Sequence, residues 1–286
     1  MSRIVVGVEG SAHAERALRW AVKEAQLIGA TVEVVHGYVV RPRAGALVYD
    51  ERESAEAVLD AVVERNRAVL ERTTWTSTVV PTLWSPAGAL MDLAEGADLV
   101  VVGSRGLGGF KELLLGSTSY RTAAHASAPV AVIRGDAATE DLDGRRGIVV
   151  GVDESRAGRR ALRWAVDEAA RRKVSLTVVH AYSIPVNWSL AGMVPDDALD
   201  EYRTGVRDAA IDMVDRAIAE LDAPADVDVQ PVVAGGMAAA VLLDHAGEDR
   251  LLVVGTHGRG GLGRAVLGSV SHQCLHHATG PVVVVP

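Results

Sequence analysis

The chain has 286 residues, 49% of them apolar, which suits two packed domains of ordinary size better than one. Its net charge of −8 divides into −3 over residues 1–146 and −5 over residues 147–286; neither half is basic and no Lys/Arg stripe runs between aromatics, which argues against binding nucleic acid by phosphate neutralisation. The single cysteine, Cys274, excludes an intramolecular disulfide and a cysteine-rich zinc site, no run approaches the roughly 20 apolar residues of a membrane span, and Met1 to Gly7 enter a strand without a signal-peptide stretch, so a cytoplasmic protein is expected.

The first half opens with a strand over 4–8, rich in Val and Ile as a strand covered on both faces should be. Ser11 stands at the N-cap of a first helix that contains Trp20. A strand over 31–38 ends in His36-Gly37-Tyr38, and Ala55, Val58, Leu59, Val62, Val63, Val69 and Leu70 then recur at helical spacing. Strands follow over 77–83, 99–103 and 130–134, and a polar, charged stretch links the halves. The second half repeats the first. Val6-Gly7-Val8-Glu9-Gly10-Ser11 matches Val150-Gly151-Val152-Asp153-Glu154-Ser155, and Arg16 to Val22 matches Arg160 to Val166, Trp164 included. Val34-Val35-His36-Gly37-Tyr38 likewise matches Val178-Val179-His180-Ala181-Tyr182. The offset is 144 in all three pairs and 152 further on, which places an insertion in the second copy. Its strands are expected over 147–152, 175–181, 226–233, 251–255 and 281–285, with a helix carrying Leu199, Tyr202, Val206, Ala209, Met213 and Ala217.

The fourth strand of each copy runs into a glycine pattern. Gly103-Ser104-Arg105-Gly106 is followed after nine residues by Gly116-Ser117, and Gly255-Thr256-His257-Gly258 after nine residues by Gly268-Ser269. Each pattern ends where a helix should begin. Glycines admit close backbone approach, and a helix start offers free N–H groups to an anion. Alternating strands and helices imply right-handed crossovers and a parallel sheet, whose ligands sit beyond the carboxyl ends of the strands. Two clefts are therefore expected, one at Gly7 to Glu9, the segment after His36 and the Gly103 loop, the other at Gly151 to Asp153, the segment after His180 and the Gly255 loop.

With these motifs in this order the sequence resembles a tandem universal stress protein. The resemblance implies two α/β, Rossmann-like domains of the adenine nucleotide alpha hydrolase type, each a five-stranded parallel sheet flanked by helices: residues 1–135, a linker over 136–146, and residues 147–286. It implies pairing of the halves through their last strands, 129–133 and 281–285, with a homodimer of chains left open. It also implies ATP, with or without Mg2+, as the ligand. In the first domain Gly103, Gly106, Gly116 and Ser117 would hold the phosphates, with Ser104, Arg105, Leu107, Gly108 and Gly109 completing the loop and Thr118 adding a hydroxyl. In the second, Gly255, Gly258, Gly268 and Ser269 would do the same, with Thr256, His257, Arg259, Gly260 and Gly261 in the loop and Val270 and Ser271 beside it. Asp153 would contact ribose or help hold a metal. Glu9 occupies the equivalent position one methylene longer, which ranks the first site below the second. Gly37 and Ala181 would present backbone to adenine, and Gly7 and Gly151 would leave room for the nucleotide. A nucleotide-dependent regulatory protein of the stress response, read by a protein partner, is the implied function; a slow ATPase or phosphotransferase and a nucleotide-free scaffold are the alternatives, and no residue is assigned as catalytic.

Other signals have plainer readings. Ser117 and Ser269 fit N-caps as well as phosphate ligands, and Asp153 fits a loop cap. Gly258-x-Gly260-x-x-Gly263 has dinucleotide-fingerprint spacing but follows the fourth strand instead of the first. Arg105, Arg259 and Arg264 fit phosphate partners or solvated loop residues equally. His272 and His276 share a helix face at i, i+4, yet no acidic partner is evident, so a surface or interface cluster is expected over a metal site. His36 and His180 read as hydrogen-bonded strand residues.

Overall fold

The computed structural model describes residues 2–40, 51–107, 115–134, 146–184, 196–221, 224, 226–258 and 267–286. The linker expected over 136–146 lies outside these except for Arg146, which pairs with Asp249 at 2.9 Å. The first half contains strands β1 (Arg3–Gly7), β2 (Thr31–Val39), β3 (Trp75–Thr82), β4 (Leu99–Gly103) and β5 (Val130–Ile133). Its helices are α1 (Ala12–Ile28), α2 (Arg52–Arg65), α3 (Arg67–Leu70), α4 (Pro86–Leu93) and α5 (Ser117–His125). The second half contains β6 (Ile148–Gly151), β7 (Leu176–Tyr182), β8 (Val229–Gly235), β9 (Leu251–Gly255) and β10 (Val282–Val285). Its helices are α6 (Arg156–Arg172), α7 (Asp196–Ala219), α8 (Ala238–Ala246) and α9 (Ser269–His277).

The ten strands form one sheet in the order β3-β2-β1-β4-β5-β10-β9-β6-β7-β8. Neighbours within each half are parallel. At the centre β5 and β10 run antiparallel, with Val132 opposite Val282 and Val130 opposite Val284. Each half thus lends its last strand to the other, and the seam is as dry as any core strand: Val130 to Ile133 and Val282 to Val285 are all buried. The outermost strands carry Pro81 and Pro231, residues that cannot donate to a further strand.

Alternation along the strands divides the core into two layers. Ile4, Val6, Ile148, Val150 and Val283 face the layer of α1, α2, α6 and α7, whereas Val5, Val149, Val282 and Val284 face that of α4, α5, α8 and α9. α1 and α6 start at Ser11 and Ser155, whose hydroxyls accept from the amides of Ala14 (3.1 Å) and Gly158 (2.9 Å). α1 ends on Gly29 in the left-handed region (φ 65°), and α6 ends on Lys173 at the same repeat position (φ 55°). The single helical pattern expected through Leu70 is two helices. Buried Asn66 interrupts it, its side-chain amide donating to the Val62 carbonyl at 2.9 Å. α7 runs 24 residues unbroken in the equivalent place.

Candidate functional site

β1 sits between β2 and β4, and the crossovers on its two sides leave by opposite faces of the sheet, α1 on one and α5 on the other. A crevice must open at that point. It is a cavity of about 610 Å3 lined by the ends of β1, β2 and β4, by the loop after β4 and by the first turn of α5, with Pro86 and Leu90 of α4 as its apolar side. The loop is anchored by main-chain bonds. The Ser104 amide donates to the Ile133 carbonyl (3.0 Å), and the Gly116 amide donates back to the Ser104 carbonyl (2.8 Å). The Ser11 hydroxyl, besides capping α1, points at the Arg105 carbonyl (3.5 Å). α5 begins after Gly116, so no side chain caps its first amides.

The second half builds the same object with a cavity of about 540 Å3. Thr256 donates its amide to the Val285 carbonyl (2.8 Å), Gly268 donates to the Thr256 carbonyl (2.7 Å), and the Ser155 hydroxyl donates to the His257 carbonyl (3.2 Å). α9 starts after Gly268, again without a side-chain cap. Uncapped helix starts concentrate positive potential, because their leading N–H groups lack intrahelical acceptors.

The acids differ between the cavities. Asp153 accepts the Ser155 amide at Oδ1 (3.0 Å). Glu9 keeps Oε1 buried with no hydrogen-bond partner among the described residues. Burial pushes its carboxyl above the usual carboxylate range, against the pull of its hydrogen bonds with Ser11 and of the nearby His36 imidazole. His257, in the wall of the second cavity, has a buried Nε2 that is likewise unpartnered among the described residues. His36 and His180 line their cavities, with Nδ1 donating to the carbonyls of Val8 (2.7 Å) and Val152 (2.9 Å).

Of the residues singled out from sequence, Gly7, Glu9, Gly37, Gly103, Arg105, Gly106, Leu107, Gly116, Ser117 and Thr118 line the first cavity. Gly151, Asp153, Ala181, Gly255, His257, Gly258, Gly268, Ser269, Val270 and Ser271 line the second. Ser104 and Thr256 do not; both are buried, and their main chains tie the loops to β5 and β10. Gly108, Gly109, Arg259, Gly260, Gly261 and Arg264 lie outside the described residues.

One reading needs correction. Gly116 and Gly268 are the N-caps, so Ser117 and Ser269 are the first helical residues instead of caps. A Cβ on Gly7 or Gly151 would meet Leu90 (2.8 Å) or Leu242 (2.9 Å), so α4 or α8 fills the side of each glycine that a side chain would take, while both glycines line their cavities. A Cβ on Gly103 or Gly255 would fall 2.6 Å from the His13 main chain or 2.7 Å from the Ala157 main chain, so these glycines serve the approach of α1 and α6 to the sheet as well as lining the cavities. Sequence reasoning also missed His13, Pro86, Leu90, Leu115 and Ser119 in the first cavity, and Gly158, Ala238, Leu242 and Leu267 in the second. Ser119 was findable from the repeat as the counterpart of Ser271: both hydroxyls donate to the carbonyl of the glycine ending the fourth strand, at 2.6 Å to Gly103 and 2.5 Å to Gly255.

Comparison with known proteins agrees with this duplicated plan. The sequence model of the universal stress protein family matches residues 1–134 and again 144–286. A universal stress protein of Mycolicibacterium smegmatis is 34% identical over 290 residues, covering 99% of this chain and 96% of that protein. One from Mycobacterium tuberculosis strain H37Rv is 32% identical over 291 residues, covering 98% and 96%. Among solved structures, a universal stress protein from Archaeoglobus fulgidus superposes with a TM-score of 0.67 over 99% of this chain and 97% of that one at 16% identity. A protein of unknown function from Pseudomonas aeruginosa PAO1 gives 0.64 over 100% and 92% at 17% identity. Those two share the fold; the family follows from the sequence matches, and the chain belongs to the universal stress protein family as a tandem, two-domain member.

Proposed function

We propose that this protein binds ATP in both cavities and acts in the cytoplasm as a nucleotide-dependent regulatory protein whose occupancy is read by a protein partner. The observation that carries the reading is the twinned construction: a glycine loop and an uncapped helix start meet at the switch point of each half, beside a cavity of 540 to 610 Å3 with one apolar side. That size is ordinary for a small-molecule site. The main-chain donors suit an anionic tail, and the apolar side near Gly37 and Ala181 suits a base. The orphaned Glu9 Oε1 and His257 Nε2 are polar atoms for which a ligand would supply partners.

In this reading the triphosphate lies along the loop and the first turn of α5 or α9, and Glu9 or Asp153 faces ribose or a Mg2+ carried by the nucleotide. A carboxylate beside phosphates repels them unless a cation or a proton intervenes, which is the part Mg2+ would play. Regulation follows from attachment. The loops hang on Ile133 and Val285, the last residues of the two strands at the seam, so filling a cavity bears on the joint between halves.

Calorimetric titration of ATP into the wild type and His257→Ala tests this. The expected result is two binding events in the wild type, with the second-site affinity of the variant reduced about tenfold, the worth of one hydrogen bond, and the first site unchanged. Equal affinities at both sites in the two proteins would refute the placement, and no heat in either would favour a nucleotide-free scaffold.

A further inference from the structure

Where α1 and α6 meet across the seam, three charged side chains are buried together. Glu24 of α1 and Glu168 of α6 stand at equivalent repeat positions, and the pseudo-symmetry of the halves brings them to one spot, 3% and 0% exposed. Arg172 of α6, 10% exposed, bonds both carboxylates, Nη2 to Glu24 and Nε to Glu168. The repeat gives it no twin, because Ile28 holds the equivalent place in α1. The Trp20 ring covers the guanidinium at 5.5 Å. Arg171 also acts on the pair; it bonds Glu168 (3.2 Å) and is 42% exposed, so water screens it. Two buried acids therefore share one buried cation. Such a group is stable only if its charges balance, and two carboxyls that cannot both ionise hold one proton between them.

We propose that Glu24, Glu168 and Arg172 form a proton-operated latch between the domains, closed while the two carboxyls share a proton and loosened when that proton is lost to solvent. α1 packs over β4 and β5 and α6 over β9 and β10, so the latch lies directly above the β5–β10 joint. Burial first, and the neighbouring Glu168 next, push the Glu24 carboxyl up to about 8, against the pull of Arg172 and Arg171. The cations, Arg172 foremost, together with a hydrogen bond from Glu24, hold Glu168 below the usual range despite its burial. The proton thus belongs to the pair, with Glu24 the member whose value is raised. A group whose value is raised on folding adds stability that is complete below its unfolded value, falls as pH rises toward its folded value, and is gone above it. Glu168 works oppositely, losing its contribution only in acid. The loosening therefore belongs to the rise from about pH 5 to pH 8, and it does not depend on the nucleotide reading.

Carbon-13 NMR of the full chain labelled at the Glu carboxyls tests it directly. One resonance should titrate near pH 8. It should be missing from Glu24→Gln, present in Glu9→Gln, and shifted toward ordinary carboxylate values in Glu168→Gln. Amide exchange at Val130–Val132 and Val282–Val284, corrected for the intrinsic rate, supplies the readout at the joint. Wild-type protection should fall relative to Glu24→Gln between pH 6 and 8, by up to about tenfold per pH unit for one proton. If all carboxyls except that of Glu9 have titrated by pH 6, or if protection at the joint changes equally in wild type and Glu24→Gln, the latch is refuted. Should Glu24→Gln fail to fold, the wild-type and Glu168→Gln titrations decide alone.

Discussion

The two acids lining the cavities differ by more than a methylene. A Cβ on Gly158 would collide with Asp153 Oδ1, so the short acid occupies the volume that the methyl of Ala14 takes in the first half. Asp153 goes with Gly158, and Glu9 goes with Ala14. Shortening Glu9 alone cannot rebuild the second site, because an aspartate there would meet the Ala14 side chain. The expected outcome is that Glu9→Asp gives no gain in ATP affinity at the first site, whereas Glu9→Asp with Ala14→Gly does. A double-mutant cycle by calorimetry should give a coupling of about 1 kcal/mol, in the range for residues in contact; additive effects would show that the acids are not limited by this packing. The sequence made the Glu9/Asp153 difference legible and hid its partner, since Gly158 meets Asp153 only once the helix folds back.

At the scale of elements, the N-terminal caps of α1 and α6 have two tasks. Ser155 Oγ accepts the Gly158 amide and donates to the His257 carbonyl, so the helix start and the loop after β9 are joined through one hydroxyl. Ser155→Ala should lower stability by about 1 kcal/mol, the usual worth of a cap, measured by urea unfolding. It should also raise amide exchange around His257 and Gly258 beyond that global loss; a change confined to α6 would separate the two tasks. The cap positions were plain in the sequence, as were most strands, because caps and apolar runs are local signals. Helices α4 and α8 were not. PAGALMDL and AAAVLLDHA are short and almost wholly apolar, so they show no polar face against which a period of 3.6 could be read. Their omission hid Pro86, Leu90, Ala238 and Leu242, and with them the apolar sides of both cavities.

Over the whole molecule the duplication has closed on itself. Each half of a parallel α/β unit ends in an apolar strand that would be an exposed edge in isolation, and here β5 and β10 cover one another. One core layer runs unbroken from Ile4 to Val285 across this joint. The pairing of last strands was legible through the family resemblance and the 144-residue repeat. The meeting of Glu24 with Glu168 was not, since nothing local says that the same face of two helices will come together. Among the described residues no helix is long and apolar enough to cross a membrane. No group of three or more His, Cys, Asp or Glu among them is arranged to hold a metal; His272 and His276 stack at 4.4 Å beside Tyr120, and burial pushes the Cys274 thiol up to about 12. The ligand of the two cavities is the central claim. The direct measurement is to purify the full chain without added nucleotide, denature it, and identify and count the small molecules released. The account predicts adenine nucleotide, up to two per chain, with a rise in melting temperature when ATP is returned to stripped protein. An extract without nucleotide, joined to an unchanged melting temperature at millimolar ATP, would contradict it.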